Sequence, residues 1–100
     1  MVSYNVSITI DDEIEQEWVA WMKTVHIPDV MATGCFTEYR FYKLMKPEEE
    51  EGSTFIMQYK ALTMDDYHRY SEDHAPALQQ ETHKRYKDRF VAFRTIMVEV

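Results

Sequence analysis

Residues 2 to 10, VSYNVSITI, alternate without a break: Val2, Tyr4, Val6, Ile8 and Ile10 fall on one side, Ser3, Asn5, Ser7 and Thr9 on the other. Such a strand has one apolar face, and something must be laid across it. The next segment supplies the cover. Asp11 and Asp12 are N-cap candidates, and Glu13 and Glu15 follow in a first turn where carboxylates complement the helix dipole. Ile14, Trp18, Trp21, Met22 and Val25 then recur at helical spacing, which predicts a helix over about residues 12–25. Pro28 disfavours a helical Ile27, so this helix should stop near His26, with a short turn restarting at Pro28 and ending at Gly34.

Residues 36–46 and 54–62 are rich in Phe, Tyr, Thr and Ile, and the KPEEEEGS stretch between them carries Pro47 and Gly52, which predicts a hairpin. Glu48 to Glu51 read as a solvated tip rather than a cation site, because adjacent like charges favour hydration. Asp65 and Asp66 open a second helix with Tyr67, Tyr70, His74 and Leu78 near one stripe. Pro76 should interrupt it, and it should resume to about Lys87, before a last strand over residues 91–100. The order is βαββαβ: an α+β, ferredoxin-like chain with a four-stranded antiparallel sheet and its helices on one face. At 100 residues and 12.0 kDa it is a single domain over residues 1–100. Area scaling predicts about 6,000 Å² of folded surface, enough burial for one modest core.

Charge and cysteine content remove several function classes. Eleven Lys and Arg against eighteen Asp and Glu leave a net charge of −7, which repels phosphate backbones and anionic membranes, so neither nucleic acid nor membrane is an expected partner. Cys35 is the only cysteine, which excludes an internal disulfide and a CxxC zinc site and suits a reducing compartment. With no basic leader before a long apolar run, a cytoplasmic location is expected.

An internal echo supplies the functional candidates. His26-Ile27-Pro28-Asp29-Val30 follows the first helix, and His74-Ala75-Pro76-Ala77-Leu78 interrupts the second at nearly the same distance from its preceding strand. An imidazole beside a proline break can donate, accept or bind metal, and its ordinary pKa near 6.5 permits acid-base work. If the halves are related by a pseudo-twofold, His26 and His74 approach one rim of the space between helices and sheet. They are then the catalytic candidates, with Tyr4, Trp21, Asp29 and Tyr70 as ligand-binding candidates. The competing reading has each imidazole capping a broken helix. His26, Asp29 and His74 would also suit a metal, but no compact metal motif is present, and no cofactor or metal is expected. Trp18, Trp21, Tyr67 and Tyr70 read first as core, and His68 and His83 as solvated helix surface.

The other sheet face should bring Ser3, Asn5, Ser7 and Thr9 beside Gln58 and Lys60, with Arg40 and Arg94 on flanking strands and Ile56, Ile96 and Val98 as apolar members. Mixed faces of this kind are commonly closed by dimerisation, so a homodimer with its sheets packed together is expected.

The segments YNVSITID, EWVAWMKTVHIPDV, GCFTEYRF, TFIMQY, HAPALQ and FVAFRT together resemble a small bacterial family catalogued only as a domain of unknown function. The likeness spans nearly the whole chain, and HIPDV and HAPAL carry most of its specificity. It implies the dimeric α/β-barrel group of ferredoxin-like proteins, whose better studied members include cofactor-independent monooxygenases, haem-degrading enzymes and stress-response proteins. Asn5 and His74 superficially resemble an asparagine and a histidine of the haem-degrading members, without the third partner or the spacing. The leading expectation is a homodimer that binds a small anionic or oxygen-rich molecule beside His26 and His74, any chemistry being acid-base with Tyr70 or Tyr4 orienting the ligand. The alternatives are a non-catalytic structural or protein-interaction dimer and, more weakly, haem or metal handling.

Overall fold

The computed structural model describes residues 1–100. Four strands, β1 (Val2–Ile10), β2 (Glu38–Lys43), β3 (Ser53–Ala61) and β4 (Phe90–Val98), form one antiparallel sheet in the order β2-β3-β1-β4. The helices α1 (Glu15–Trp21), α2 (Ile27–Ala32), α3 (Met64–Asp73) and α4 (Ala75–Tyr86) connect them in the ferredoxin-like order. None of these helices is long and apolar enough to cross a membrane.

The alternation of β1 does what it promised. Val2, Tyr4, Val6, Ile8 and Ile10 are all buried, and in β3 Phe55, Met57, Tyr59 and Ala61 join them. The register pairs Tyr4 with Tyr59 and Val6 with Met57, so the two central strands present one continuous apolar surface. Trp18 of α1 is fully buried against the rings of Phe41 and Phe55, and Tyr70 of α3 packs on Phe36 and Tyr4. The turn into β3 depends on Gly52, whose φ of +78° favours glycine and where a Cβ would crowd the Ile10 carbonyl at 3.3 Å.

Two expectations about the first helical segment are corrected. It does not stop near His26: a single 3₁₀ turn (Asp12–Ile14) leads into α1, a π-helical stretch (Met22–His26) follows, and α2 continues directly. Ile27 N–H bonds back five residues to the Met22 carbonyl, so one extra residue is housed in a widened turn and Pro28 enters without ending the helix. The insertion also shifts the apolar phase. Met22, Ile27 and Val30 are buried, whereas Val25, placed on the stripe by ordinary helical spacing, is 40% exposed.

The face of β4 is the other correction. Pairing with β1 sets Arg94 opposite Val6, Ile96 opposite Tyr4 and Val98 opposite Val2, so all three lie on the helix side rather than on the open face. The open face instead carries the rows Tyr42, Ile56, Ser7, Phe93 and Leu44, Thr54, Thr9, Val91. It also carries a polar patch in which Ser3 donates to Asn5 Oδ1 at 2.8 Å and Asn5 donates to Thr95 at 3.3 Å.

Candidate functional site

Between the helix side of the sheet and α4 lies a cavity of about 250 Å³. Its floor is Tyr4, Val6 and Ile8 of β1 with Met57 and Tyr59 of β3. Ala92 and Arg94 of β4 form one wall, and Gln79, Thr82 and His83 of α4 the other. His26, Tyr70 and Phe90 complete the lining. A second cavity of about 180 Å³ opens towards the junction of α3 and α4, lined by Tyr67, Ser71 and Ala75. Tyr4, Tyr70, Gln79 and Arg94 belong to both.

His26 reaches the cavity because the π-helical stretch turns the end of that segment inward, and Trp21 holds the imidazole by stacking on it, with centroids 5.1 Å apart and planes 27° from parallel. Burial depresses its pKa to about 4. The Asp29 carboxylate opposes this shift, and the Arg94 guanidinium adds to it. The ring is therefore neutral at physiological pH, and its buried Nδ1 has no hydrogen-bond partner.

The hydroxyls are held in the opposite sense. Burial raises the pKa of Tyr4, Tyr59 and Tyr70, so each remains a protonated phenol able to donate. Tyr59 is 2% exposed and its hydroxyl is unpartnered. Of the three buried side-chain polar atoms without a partner in the whole chain, His26 Nδ1 and Tyr59 Oη belong to residues that line this cavity. Arg94 stands at the exposed end. Its guanidinium pairs with no carboxylate and faces the Tyr4 hydroxyl, whereas Arg69, Arg85 and Arg89 are each paired to carboxylates.

Of the residues singled out in the sequence, His26, Tyr4 and Tyr70 meet at the cavity, and the others stand elsewhere. His74 lines neither cavity; it sits at the break between α3 and α4, where its N–H donates to the Tyr70 carbonyl at 3.0 Å and its carbonyl accepts from Leu78. Its ring lies 6.5 Å from that of Tyr70, with the planes 28° apart. The two imidazoles are thus not brought to one hollow. The halves are unlike here because one proline is absorbed in a π-helical turn and the other interrupts the helix outright. Trp21 acts on the cavity only through His26, and Asp29 is exposed on α2. His26, Asp29 and His74 do not assemble as a metal-ligating group, nor does any other trio of His, Cys, Asp or Glu. Asn5 faces the open side of the sheet, away from the cavity.

Arg94, Tyr59, Gln79 and His83 line the site without having been anticipated. His83 is exposed as expected, yet its ring edges the cavity beside Phe90, 5.5 Å between centroids.

The fold and cavity define a ferredoxin-like α+β domain with a chamber between sheet and helices. The chain belongs to the family described as domain of unknown function DUF4286, whose model matches residues 1–100. No curated protein matches it. Among solved structures it is similar to a dimeric ferredoxin-like protein from an uncultured marine organism, at 12% identity and a TM-score of 0.73, covering 100% of this chain and 95% of that one. An ethyl tert-butyl ether d (EthD) family protein from Bacillus halodurans is 12% identical with a TM-score of 0.70 and full coverage of both chains. SnoaB, a cofactor-independent oxygenase from Streptomyces nogalater, is 10% identical with a TM-score of 0.61, over 98% of this chain and 92% of that one. Likeness at these identities establishes the fold.

Proposed function

We propose that the chain binds a small anionic, oxygen-bearing molecule in the cavity between β1, β3, β4 and α4, and that His26 exchanges a proton with it. Arg94 is the anchor for the anion. In a chain of net charge −7, a guanidinium without an acidic partner at the mouth of a cavity is the observation that carries this reading. Tyr4 and Tyr70 orient the ligand, and the neutral His26 accepts its proton. An anion seated beside Arg94 removes part of the positive field at His26 and so raises the basicity of the imidazole on binding. Proton transfer of this kind uses side chains alone. His74, outside the cavity, has an architectural role at the α3–α4 break.

We also propose that the open sheet face pairs with a second copy of the chain. The rows through Phe93 and Val91 support this, as does one similar structure, which is described as dimeric.

The test is thermal denaturation with a panel of small carboxylic acids and their methyl esters. The reading expects at least one acid, but not its ester, to raise the midpoint of the wild type, and Arg94→Gln to abolish that rise with little change in its own unliganded midpoint. If no acid stabilises the wild type, or if Arg94→Gln responds as strongly, the reading is overturned.

A further inference from the structure

The lining of the chamber specifies more than an anion. Its body is apolar, formed by Val6, Ile8, Met57, Phe90 and Ala92. Five of its remaining walls are rings: Tyr4, Tyr59, Tyr70, His26 and, at the edge, His83. Tyr4 lies 6.1 Å from Tyr59 and 5.6 Å from Tyr70 between centroids, so the tyrosines form one connected aromatic surface rather than scattered contacts. Flat unsaturated ligands gain offset stacking and edge contacts against such walls, whereas a flexible aliphatic chain gains area alone and loses torsional freedom on binding.

Size and charge narrow the class further. An engineered cavity of about 150 Å³ admits benzene. A chamber of about 250 Å³ therefore matches one or two fused rings with their substituents. Arg94 is its one formal positive charge, which suits one planar carboxylate rather than a doubly charged phosphate. At the deep end, Tyr59 is 2% exposed and its buried hydroxyl is unpartnered, and a second charge there would be desolvated without compensation. The group it fits is a neutral oxygen, a hydroxyl or carbonyl, which satisfies the hydroxyl by a hydrogen bond.

We propose that the chamber takes a hydroxy- or oxo-substituted aromatic monocarboxylate of one or two rings, its carboxylate on Arg94 and its second oxygen on Tyr59. This rests on the cavity being a ligand site, and it adds the chemical class and the polarity of binding, acid outward and neutral oxygen inward. The smaller adjoining cavity shares Arg94, Gln79, Tyr4 and Tyr70 and leaves room beside the carboxylate.

The test is calorimetric titration of the full chain with four probes: 6-hydroxy-2-naphthoate, 2-naphthoate, 2-naphthol and octanoate. The hydroxynaphthoate should bind most tightly. Removal of the carboxylate, in 2-naphthol or by Arg94→Gln, should weaken binding about 10-fold or more, and removal of the hydroxyl, in 2-naphthoate or by Tyr59→Phe, about 3- to 10-fold. The double change, 2-naphthoate on Tyr59→Phe, should weaken it no further than either alone, which a general loss of folding would not reproduce. Ala92→Trp, which fills the chamber, should abolish binding; retained affinity there would place the probe elsewhere and overturn the cavity reading itself. If octanoate binds as tightly as the naphthoates, or if aliphatic acids stabilise the chain and none of the three aromatic probes binds, the cavity stands and the aromatic class falls.

Discussion

His26 is the residue at which folding and the site are most directly coupled. In the folded chain it is held neutral with a pKa of about 4 by burial, with Arg94 adding to the shift and Asp29 opposing it. In the unfolded chain it takes up a proton near 6.5. The folded pKa is the lower one, so its contribution to stability is complete above about pH 6.5, falls as the pH drops, and is exhausted below about pH 4; linkage sets its size at no more than about 3 kcal/mol. Urea denaturation between pH 7.5 and 4.5 should show a steeper loss for the wild type than for His26→Gln, which has no proton to gain. Parallel curves would mean that His26 is solvated. Hydrogen bonds from Ser53 and Lys43 to Glu15, and from Arg69 and Thr63 to Asp66, lower the pKa of these carboxyls, so their titration falls at lower pH and is common to both proteins. His26, Tyr4 and Tyr70 were legible in the sequence because each stands on a clear periodic stripe or beside a proline. Arg94 was not. In β4 both alternating rows are apolar, Phe90, Ala92, Ile96 and Val98 against Val91, Phe93 and Met97, so alternation does not say which side an arginine takes. Pairing with β1 decides it, and pairing is a long-range property. Tyr59 was not singled out, because its orphaned hydroxyl becomes visible only once its surroundings are packed.

At the scale of elements, helix ends and interruptions account for both what was anticipated and what was not. Helix α3 begins at Thr63, in extended conformation, whose hydroxyl accepts from the Asp66 N–H at 3.1 Å, with Asp65 and Asp66 in the first turn. The carboxylates had marked the start correctly, and the cap itself lies two residues earlier. Thr63→Ala should cost about 1 kcal/mol in denaturant unfolding, and Thr63→Ser should recover most of it. An equal loss in both variants would assign the effect to the methyl group instead. This helix carries Tyr70 to the cavity wall, so its cap also steadies the site. The π-helical stretch is the element that sequence periodicity misses. A five-residue step from Met22 to Ile27 breaks the 3.6-residue rhythm once, and one break in a short helix is indistinguishable from an end. What Pro28 signalled was a real disturbance of helix geometry; whether the chain breaks or widens depends on the burial of Ile27 and Val30, which rewards continuing the helix against the sheet.

The whole molecule exposes 6520 Å², more than the roughly 6,000 Å² expected of a compact chain of this mass. Much of the excess lies where no helix covers the sheet and where the loop before Gly52 projects, with Met45 at 94% exposure. Strand order and the covered face followed from alternation in β1 and from the βαββαβ sequence of elements, because one greasy face and two amphipathic segments admit few arrangements. The uncovered face is a different matter: which apolar residues it carries depends on the register of β4, and the structure substitutes Phe93, Val91 and Met97 for the anticipated Ile96 and Val98. Phe93, 70% exposed in the row with Ser7, Ile56 and Tyr42, then becomes the residue on which pairing of two sheets should turn. A standard interface removes about 800 Å² from each partner, of the order a four-stranded face supplies. Sedimentation equilibrium at tens of micromolar, a range chosen on the order of typical dimer affinities, should give twice the 12.0 kDa chain mass for the wild type. In Phe93→Glu a carboxylate would be buried against its own copy, raising the dissociation constant by about 100-fold or more, so the variant should sediment as a monomer. Thr24→Glu, on the exposed π-helical surface, adds the same single charge away from the face and should leave the mass unchanged. A monomeric wild type, or a Phe93→Glu protein that remains paired, would rule out association through this face. A Phe93→Glu chain that keeps its far-ultraviolet spectrum as a monomer would further show that the core described here, from Tyr4 and Tyr59 to Trp18, is sufficient without a second copy.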